Sequence, residues 1–339
     1  MGGEEILATH AQIDPMDPRV PAVVVEVNEQ SITVLLTDDQ ITLQQQTIDW
    51  PGIAWARPYM NDSRQGADPQ VASDVVRSGA LIWARQQDGA WRISQLPDVS
   101  GAFVALDPLN GAVQAVVGGY NFYQSQFNRA TQARRQVGSN IKPFVYSAGL
   151  DSGYTLASII NDAPINQWDA SSGVAWRPQN SPAEYDGPVR MRYALGRSKN
   201  VVSIRLLRGV GLDKTVEYLT RFGFDKEDIP RDETVSLGSG SHTPLEVVRG
   251  MATFANGGYL IEPYFISHIA NEDGEEIWRA DPVWACDPCD NNDTSESTPT
   301  VDRYDLEALL AREFDQLDQQ SDSERERAKR AAPRVISAH

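Results

Sequence analysis

Short runs of β-branched and apolar residues, separated by turn-forming residues, mark the first third of the chain. They predict five strands, at Ala22–Val27, Ile32–Leu36, Ile41–Gln45, Ala80–Arg85 and Trp91–Gln95. Asp88-Gly89, between the last two runs, is a strong hairpin signal. Five short strands of this kind are typical of a small barrel of the OB type, which we expect over residues 21–98.

The pattern changes after residue 100, where helical periodicity becomes dominant. Gly101–Tyr120 still predicts two strands joined by a turn, whereas Leu212–Phe222 has apolar residues at helical spacing. Thr243-Pro244-Leu245-Glu246 predicts a helix start, since Thr can cap, Pro fits the first turn and Glu at the third position closes a capping box. The chain is therefore expected to be α+β, with a small β-barrel followed by a mixed domain.

Charge narrows the classes of partner. The 339 residues carry a formal net charge of −17, and Asp281–Glu326 is acidic and polar. Nucleic acid is excluded as an expected partner because phosphate binding needs clustered Lys and Arg, so a spacer or protein-docking role suits the barrel better. The acidic segment predicts a loose, solvated chain, with a helical stretch within Tyr304–Arg330.

No apolar run is long enough to span a bilayer, and Met1–His10 lacks the basic residues of a signal peptide. These two features predict either an untargeted chain or a piece of a longer, anchored protein.

Two cysteines, Cys286 and Cys289, stand in the run ACDPCD. They are compatible with incidental thiols, with a disulfide or redox-labile pair, or with half of a zinc site. We expect neither a metal nor a cofactor.

The candidate chemistry begins at Ser139 and Lys142, in the run RQVGSNIKPF. If a helix starts here, the two side chains lie on one face, one turn apart. A serine hydroxyl is a weak nucleophile that needs a base, and a lysine can serve once burial or neighbouring cations lower its pKa. The same spacing also occurs by chance, as a capped helix with a surface lysine.

A second set of polar residues lies at Ser198-Lys199-Asn200, just before an apolar helical run. Ser198 could shuttle a proton, and Asn200 could fix Lys142 or accept a substrate amide. The alternative for this tripeptide is a turn with a helix cap. Trp176, Asn180 and Tyr185, between the two sets, could line a cleft, although packing is the simpler role.

An SxxK motif followed by SxN is the signature of penicillin-binding proteins and serine β-lactamases. Longer segments extend the match, because Ala130–Pro164, Gly196–Gly211 and Leu237–Ser267 resemble class A, bifunctional penicillin-binding proteins of Gram-negative bacteria. The resemblance implies an OB-like barrel followed by a transpeptidase domain with an antiparallel sheet and helices. It divides the chain into an N-terminal remnant (1–20), the OB-like domain (21–98), the transpeptidase domain (99–280) and an acidic insert with a truncated end (281–339).

The resemblance also implies an activity. Ser139 attacks the D-Ala–D-Ala carbonyl of a peptidoglycan stem peptide, Lys142 takes its proton, and Ser198 and Asn200 hold the second-motif positions. An amine from a second stem then resolves the acyl-enzyme, and β-lactams acylate Ser139 as substrate mimics. The implied parent protein has a glycosyltransferase domain and acts at the periplasmic face of the inner membrane. An outer-membrane lipoprotein activator is the implied partner of the barrel.

The family's third motif, KTG, is absent from this sequence, because Lys214-Thr215 is followed by Val216. We therefore expect a C-terminally truncated transpeptidase domain that lacks its last strands. Two alternatives follow, a non-catalytic fragment that acts at most as a binding module and a β-lactamase-like hydrolase.

Overall fold

The computed structural model describes residues 19–36, 43–122, 125–168, 175–286 and 330–336. The chain divides into two compact units. Unit 1 consists of residues 1–100 and 120–126, and unit 2 of residues 101–119 and 127–339.

Unit 1 is built on an antiparallel sheet. Its strands are β1 (Arg19–Val27), β2 (Ser31–Leu36), β3 (Gln44–Asp49), β4 (Tyr59–Asn61), β5 (Arg64–Gln65), β6 (Leu81–Gln87) and β7 (Ala90–Ser94). Five of them form one sheet in the order β3-β2-β1-β6-β7, while β4 and β5 pair separately. Short 3₁₀ helices cover Trp50–Gly52 and Ala72–Asp74.

Four of the five predicted strands of unit 1 are confirmed, and the third is displaced. The sequence pattern predicts it at Ile41–Gln45, whereas β3 begins at Gln44 and ends at Asp49. The reason is that Ile48 pairs with Ile32 of β2 and is fully buried, so this isoleucine sets the register despite the polar run before it. The Asp88-Gly89 hairpin is confirmed, with both residues at positive φ (53° and 79°), as a two-residue primed turn requires.

Unit 2 contains short strands that pair two by two among the residues described. They are β8 (Phe103–Leu106), β9 (Val113–Val117), β10 (Arg135–Gln136), β11 (Ile159–Asp162), β12 (Gln167–Trp168), β13 (Ala175–Trp176), β14 (Gly187–Arg190), β15 (Ser241–His242), β16 (His268–Ala270), β17 (Glu276–Arg279), β18 (Val283–Trp284) and β19 (Arg330–Ala331). The pairs β8–β9, β10–β15, β11–β14, β12–β13 and β16–β17 are antiparallel. Only β18–β19 is parallel within the described ranges.

Helices form the centre of unit 2. They are α1 (Lys142–Asp151), α2 (Met191–Gly196), α3 (Asn200–Val210), α4 (Leu212–Thr220) and α5 (Pro244–Ala255), with 3₁₀ helices at Gly138–Ile141, Lys226–Asp228 and Glu233–Leu237. Phe144 of α1 lies at the centre of the main core and meets Phe222 and Phe224 edge-to-face, at centroid distances of 4.8 and 5.0 Å. This core anchors the first turn of α1, which carries Lys142.

The start of α5 has the predicted capping box. Thr243 Oγ1 accepts from the backbone N–H of Glu246, and Glu246 Oε2 accepts from the N–H of Thr243, with Pro244 in the first turn. The sequence predicts this geometry because the Thr and Glu side chains of a capping box supply acceptors for N–H groups that a helix start leaves without partners.

The expectation of a loose chain after Asp281 is wrong for two described segments. β18 pairs with β19, and Ala332 is buried beside Tyr259 and Ile261, because these apolar side chains complete a small core cluster. The predicted helical stretch within Tyr304–Arg330 lies outside the described residues apart from Arg330, which belongs to β19. Cys286 is disulfide-bonded, which removes the free-thiol interpretation for this residue.

Candidate active site

The turn that carries Ser139 is a short 3₁₀ helix that leads directly into α1. It begins at Gly138, whose φ of +55° is accessible to glycine at little cost, and it ends where Lys142 starts the α-helix. Pro143 stands in the first turn of α1, where the missing N–H is not needed. The predicted helix start is therefore confirmed, with 3₁₀ geometry at Ser139 itself.

A backbone clamp fixes this turn from the other side. Gly138 donates its N–H to the carbonyl of Gly238 at 3.0 Å, and Val137 donates to the carbonyl of Gly240 at 3.2 Å. Gly238 has φ +77°, and a Cβ added there would lie 2.0 Å from the carbonyl oxygen of Gly138. Only glycine allows the two backbones to approach so closely.

Lys142 lies beneath Ser139 with its ammonium enclosed by acceptors. Its side chain is almost fully buried. Nζ donates to Ser198 O at 2.6 Å, to Ser198 Oγ at 2.9 Å and to Asn200 Oδ1 at 2.7 Å. Burial lowers the pKa of Lys142 to about 8, because a low-dielectric site disfavours the charged amine.

Ser198 stands between Lys142 and Ser139. Its Oγ accepts from Lys142 Nζ at 2.9 Å and donates to Ser139 Oγ at 3.0 Å. The three polar atoms thus form a continuous line through which a proton can pass. These are the two hydrogen bonds that the shuttle role expected for Ser198 requires.

The backbone at Ser198 is strained. Its φ is +52°, a conformation that non-glycine residues adopt at a cost of about 1–2 kcal/mol. The turn that follows α2 holds it, since Ser198 N donates to Leu195 O and Lys199 N donates to Ala194 O, each at 2.9 Å. In this conformation both the carbonyl oxygen and Oγ of Ser198 contact Lys142, so the strained backbone supplies two acceptors to one ammonium group.

Asn200 is the first residue of α3 and uses both ends of its amide. Oδ1 accepts from Lys142, and Nδ2 donates to the carbonyl of Gln179 at 2.8 Å. Ser198–Asn200 is therefore a turn followed by a helix start, and it also contacts Lys142. The two interpretations of this tripeptide in the sequence are thus compatible.

Lys199, between the two motif residues, has a role that the sequence does not indicate. Nζ forms ion pairs with Asp162 Oδ2 at 3.0 Å and Asp186 Oδ2 at 2.7 Å, and the Asp162 side chain is fully buried. The contact with Lys199 holds the pKa of Asp186 below its usual value, and the Asp186 carboxylate raises the pKa of Lys199. The tripeptide is thus tethered to β11 and to the loop before β14.

The three residues considered for the cleft wall have packing roles. Asn180 is buried, and its amide donates to Asp162 Oδ1 at 2.7 Å and to Glu184 O at 2.8 Å. Trp176 and Tyr185 pack against a buried cluster that contains Val201. Asn180 Oδ1 also accepts from the backbone N–H of Val201 at 3.2 Å, so all three side chains contact the start of α3 or the cluster packed against it.

No group of three or more His, Cys, Asp or Glu side chains that could hold a metal ion occurs within the described ranges. None of the helices described is long and apolar enough to cross a membrane.

Family models match both units. Residues 101–300 match the penicillin-binding protein transpeptidase domain, and residues 3–99 match the penicillin-binding protein OB-like domain. These matches confirm the predicted combination of an OB-like domain with a transpeptidase domain.

Curated relatives give the same assignment. Penicillin-binding protein 1A of Escherichia coli is 50% identical over 273 residues, which cover 80% of this chain and 32% of that protein. Penicillin-binding protein 1A of Vibrio cholerae is 52% identical over 271 residues, covering 78% and 32%. The chain thus spans about a third of the length of these relatives.

The crystal structure of penicillin-binding protein 1A from Haemophilus influenzae is similar, with a TM-score of 0.78 and 36% identity. The match covers 100% of this chain and 45% of that one.

Proposed function

Because this chain belongs to the penicillin-binding protein transpeptidase family, we propose that it carries the catalytic centre of a class A peptidoglycan D,D-transpeptidase. Ser139 is the nucleophile, Lys142 the general base, Ser198 the proton shuttle and Asn200 the residue that positions Lys142. The observation that carries this proposal is the line of contacts from Lys142 Nζ through Ser198 Oγ to Ser139 Oγ, at 2.9 and 3.0 Å.

In the acylation step, Ser139 Oγ attacks the carbonyl between the two D-alanines of a stem peptide. The Ser139 proton moves to Ser198 while the Ser198 proton moves to neutral Lys142. As the C–N bond breaks, the same line returns a proton to the departing D-alanine amine. The product is an acyl ester on Ser139.

In the second step, an amine of a neighbouring stem attacks the ester. It loses a proton along the same line, and the Ser139 oxygen leaves and is reprotonated. The new amide cross-links two strands, whereas water in place of the amine gives carboxypeptidase activity. β-Lactams acylate Ser139 because their strained amide mimics the scissile bond.

The depressed pKa of Lys142 supports its role as base. A pKa of about 8 leaves about a tenth of the side chain neutral at pH 7, whereas an ordinary value of 10.5 leaves about three in ten thousand. Asn200 Oδ1 holds the amine in line with Ser198 in either protonation state.

The wider protein is part of the same proposal. Residues 21–98 form the OB-like domain, residues 99–280 carry the transpeptidase motifs, and residues 281–339 include the acidic insert. In the parent protein, a glycosyltransferase domain polymerises the strands that Ser139 cross-links, at the periplasmic face of the inner membrane. The OB-like domain docks an outer-membrane lipoprotein activator.

A fluorescent penicillin tests the catalytic proposal. We expect a lasting covalent label on the wild-type chain and none on Ser139→Ala, provided circular dichroism shows both to be folded. If the folded wild-type chain takes up no label, the catalytic proposal is wrong and the chain acts at most as a binding module. Label that forms and is rapidly released would indicate a β-lactamase-like hydrolase instead.

A further inference from the structure

Three arginines stand in one row across unit 1. Arg19 of β1 pairs directly with Arg85 of β6, and Arg85 pairs with Arg92 of β7. Side chains directly opposite on neighbouring antiparallel strands lie close together, and like charges in such positions destabilise a sheet. A row of three cations is therefore expected to destabilise the sheet, and its presence calls for another explanation. The row is also unexpected because the chain has 47 acidic residues and only 30 basic ones.

The row lies on the face of the sheet opposite to the core. Ala84 and Ile93, next to Arg85 and Arg92, belong to the core cluster of unit 1, and Val20, next to Arg19, packs against it. Because successive side chains on a strand alternate between faces, the arginines point away from that core. Core packing therefore does not explain their presence.

The cations of Arg85 and Arg92 are not neutralised within the described part of unit 1. Arg85 donates to the Gln87 amide oxygen at 3.1 Å and Arg92 to the Pro51 carbonyl at 3.3 Å, and both acceptors are uncharged. Arg19 is held in place by Ser94 Oγ and Gln95 O, each at 3.0 Å from Nε.

The three arginines line an open concavity of about 440 Å³, a volume within the usual range of ligand sites. Trp55, Gln87 and Ser94 also line it, and none of its described lining residues is acidic. The Trp55 side chain is 45% exposed, so its indole is accessible from solvent. An exposed indole beside guanidinium groups offers an apolar ring face and bidentate donors for carboxylates.

We infer that this surface, defined by Arg19, Trp55, Arg85 and Arg92, binds an anionic glycopeptide strand. Carboxylates of its peptides contact the arginines, and a sugar ring lies on Trp55. OB-type barrels bind oligosaccharides as well as oligonucleotides. The choice of occupant rests on the proposed function, because the proposed substrate is a glycan whose peptides carry free carboxylates. The surface would retain a strand on the OB-like unit independently of the reaction at Ser139.

The test measures binding of a soluble, uncross-linked peptidoglycan strand to the full chain after acylation with penicillin. We expect Arg85→Gln/Arg92→Gln to bind about a hundredfold more weakly, or about tenfold for each guanidinium that the double variant removes. The matched variant Arg77→Gln removes an exposed arginine of the same unit outside the row, and it should bind like wild type. The same strand with its carboxylates amidated should bind wild type as weakly as the double variant binds the native strand.

Three results would overturn the inference. Equal binding by the double variant and wild type would show that Arg85 and Arg92 do not bind the strand. Equal binding of poly-L-glutamate would point to an acidic protein partner. A lower thermal midpoint of the double variant would assign the arginines a structural role, since relief of like-charge repulsion should leave it unchanged or higher. Penicillin labelling of the same preparations reports separately on Ser139, so a failed catalytic proposal and a failed binding site give different results.

Discussion

The Ser198 hydroxyl bridges Lys142 and Ser139 by hydrogen bonds, at 2.9 Å from the Lys142 amine and 3.0 Å from the Ser139 hydroxyl. The carbonyl of Ser198 also accepts from Lys142, at 2.6 Å. One residue with a strained backbone thus supplies two of the three acceptors around the proposed base.

Ser198→Gly is expected to separate function from stability. Glycine adopts φ +52° without strain, so the free energy of unfolding should be unchanged or up to about 1 kcal/mol higher. Loss of the hydroxyl breaks the proposed proton path, and acylation by penicillin should slow by about 10²–10⁴-fold. Stopped-flow labelling and urea unfolding measure the two effects. Ser267→Ala, at an exposed serine, is the control. Undiminished acylation of Ser198→Gly would mean that Lys142 reaches Ser139 by another route.

The rate of acylation should depend on the protonation state of Lys142. In the proposed mechanism the neutral amine is the base, so the rate should rise about tenfold per pH unit up to about pH 8 and then level off. Labelling from pH 5.5 to 9.5 gives the profile, after subtraction of spontaneous drug hydrolysis. A profile without an inflection between pH 7 and 9 would contradict the assignment.

The depressed pKa of Lys142 also predicts how the free energy of unfolding depends on pH. Burial holds the Lys142 pKa at about 8 in the folded chain, below the 10.5 of an ordinary lysine, so the unfolded chain binds more protons between these values. The contribution of Lys142 to the free energy of unfolding should therefore rise with pH from about 8 to 10.5. Comparison with Lys142→Met isolates this contribution, and an unchanged pH dependence in the variant would count against the depressed pKa.

Lys142→Arg tests the need for a releasable proton. Arginine keeps the positive charge but does not give up its proton at working pH, so labelling of Ser139 should be lost while the chain remains folded. Persistent labelling would exclude Lys142 as the base.

Lys199→Met should destabilise the second motif. It leaves the fully buried carboxylate of Asp162 without its cation, which costs about 3 kcal/mol. Acylation should also slow, because the turn that aims Ser198 loses its tether. Lys214→Met, at an exposed lysine of α4, is the matched control and should change neither quantity. Equal unfolding midpoints for the two variants would refute the tether.

Gly238→Ala and Gly257→Ala form a matched pair at the two positive φ values of +77° and +82°. Both should suffer the backbone strain of about 1–2 kcal/mol. A Cβ at Gly257 meets nothing within 4 Å, whereas one at Gly238 meets the carbonyl of Gly138 at 2.0 Å. Only Gly238→Ala should therefore displace the Ser139 turn and slow labelling. Equal labelling rates for the two variants would show that the clamp does not position Ser139.

Local signals predict much of this structure. The capping box at Thr243 and the Asp88-Gly89 hairpin are readable because their hydrogen bonds join residues close in sequence. The third strand is misplaced by its sequence pattern because its first half is polar, and its register depends on the long-range pair Ile48–Ile32.

The candidate site divides in the same way. The relation of Ser139 to Lys142 follows from helical spacing. The contact between Lys142 and Ser198 joins residues 56 apart, and it depends on how the helices pack. The role of Lys199 is not readable because a lysine within a polar tripeptide resembles a solvated residue, and its partners Asp162 and Asp186 carry no local signal of the pairing.

The most direct measurement is the mass and position of the adduct after the chain is treated with penicillin. Digestion with trypsin should place the added mass on the peptide that begins at Gln136, and fragmentation should assign it to Ser139. Ser139→Ala should give no adduct, and Ser198→Gly should give the same adduct far more slowly. A folded chain with no adduct, or with its adduct on another residue, would contradict the account.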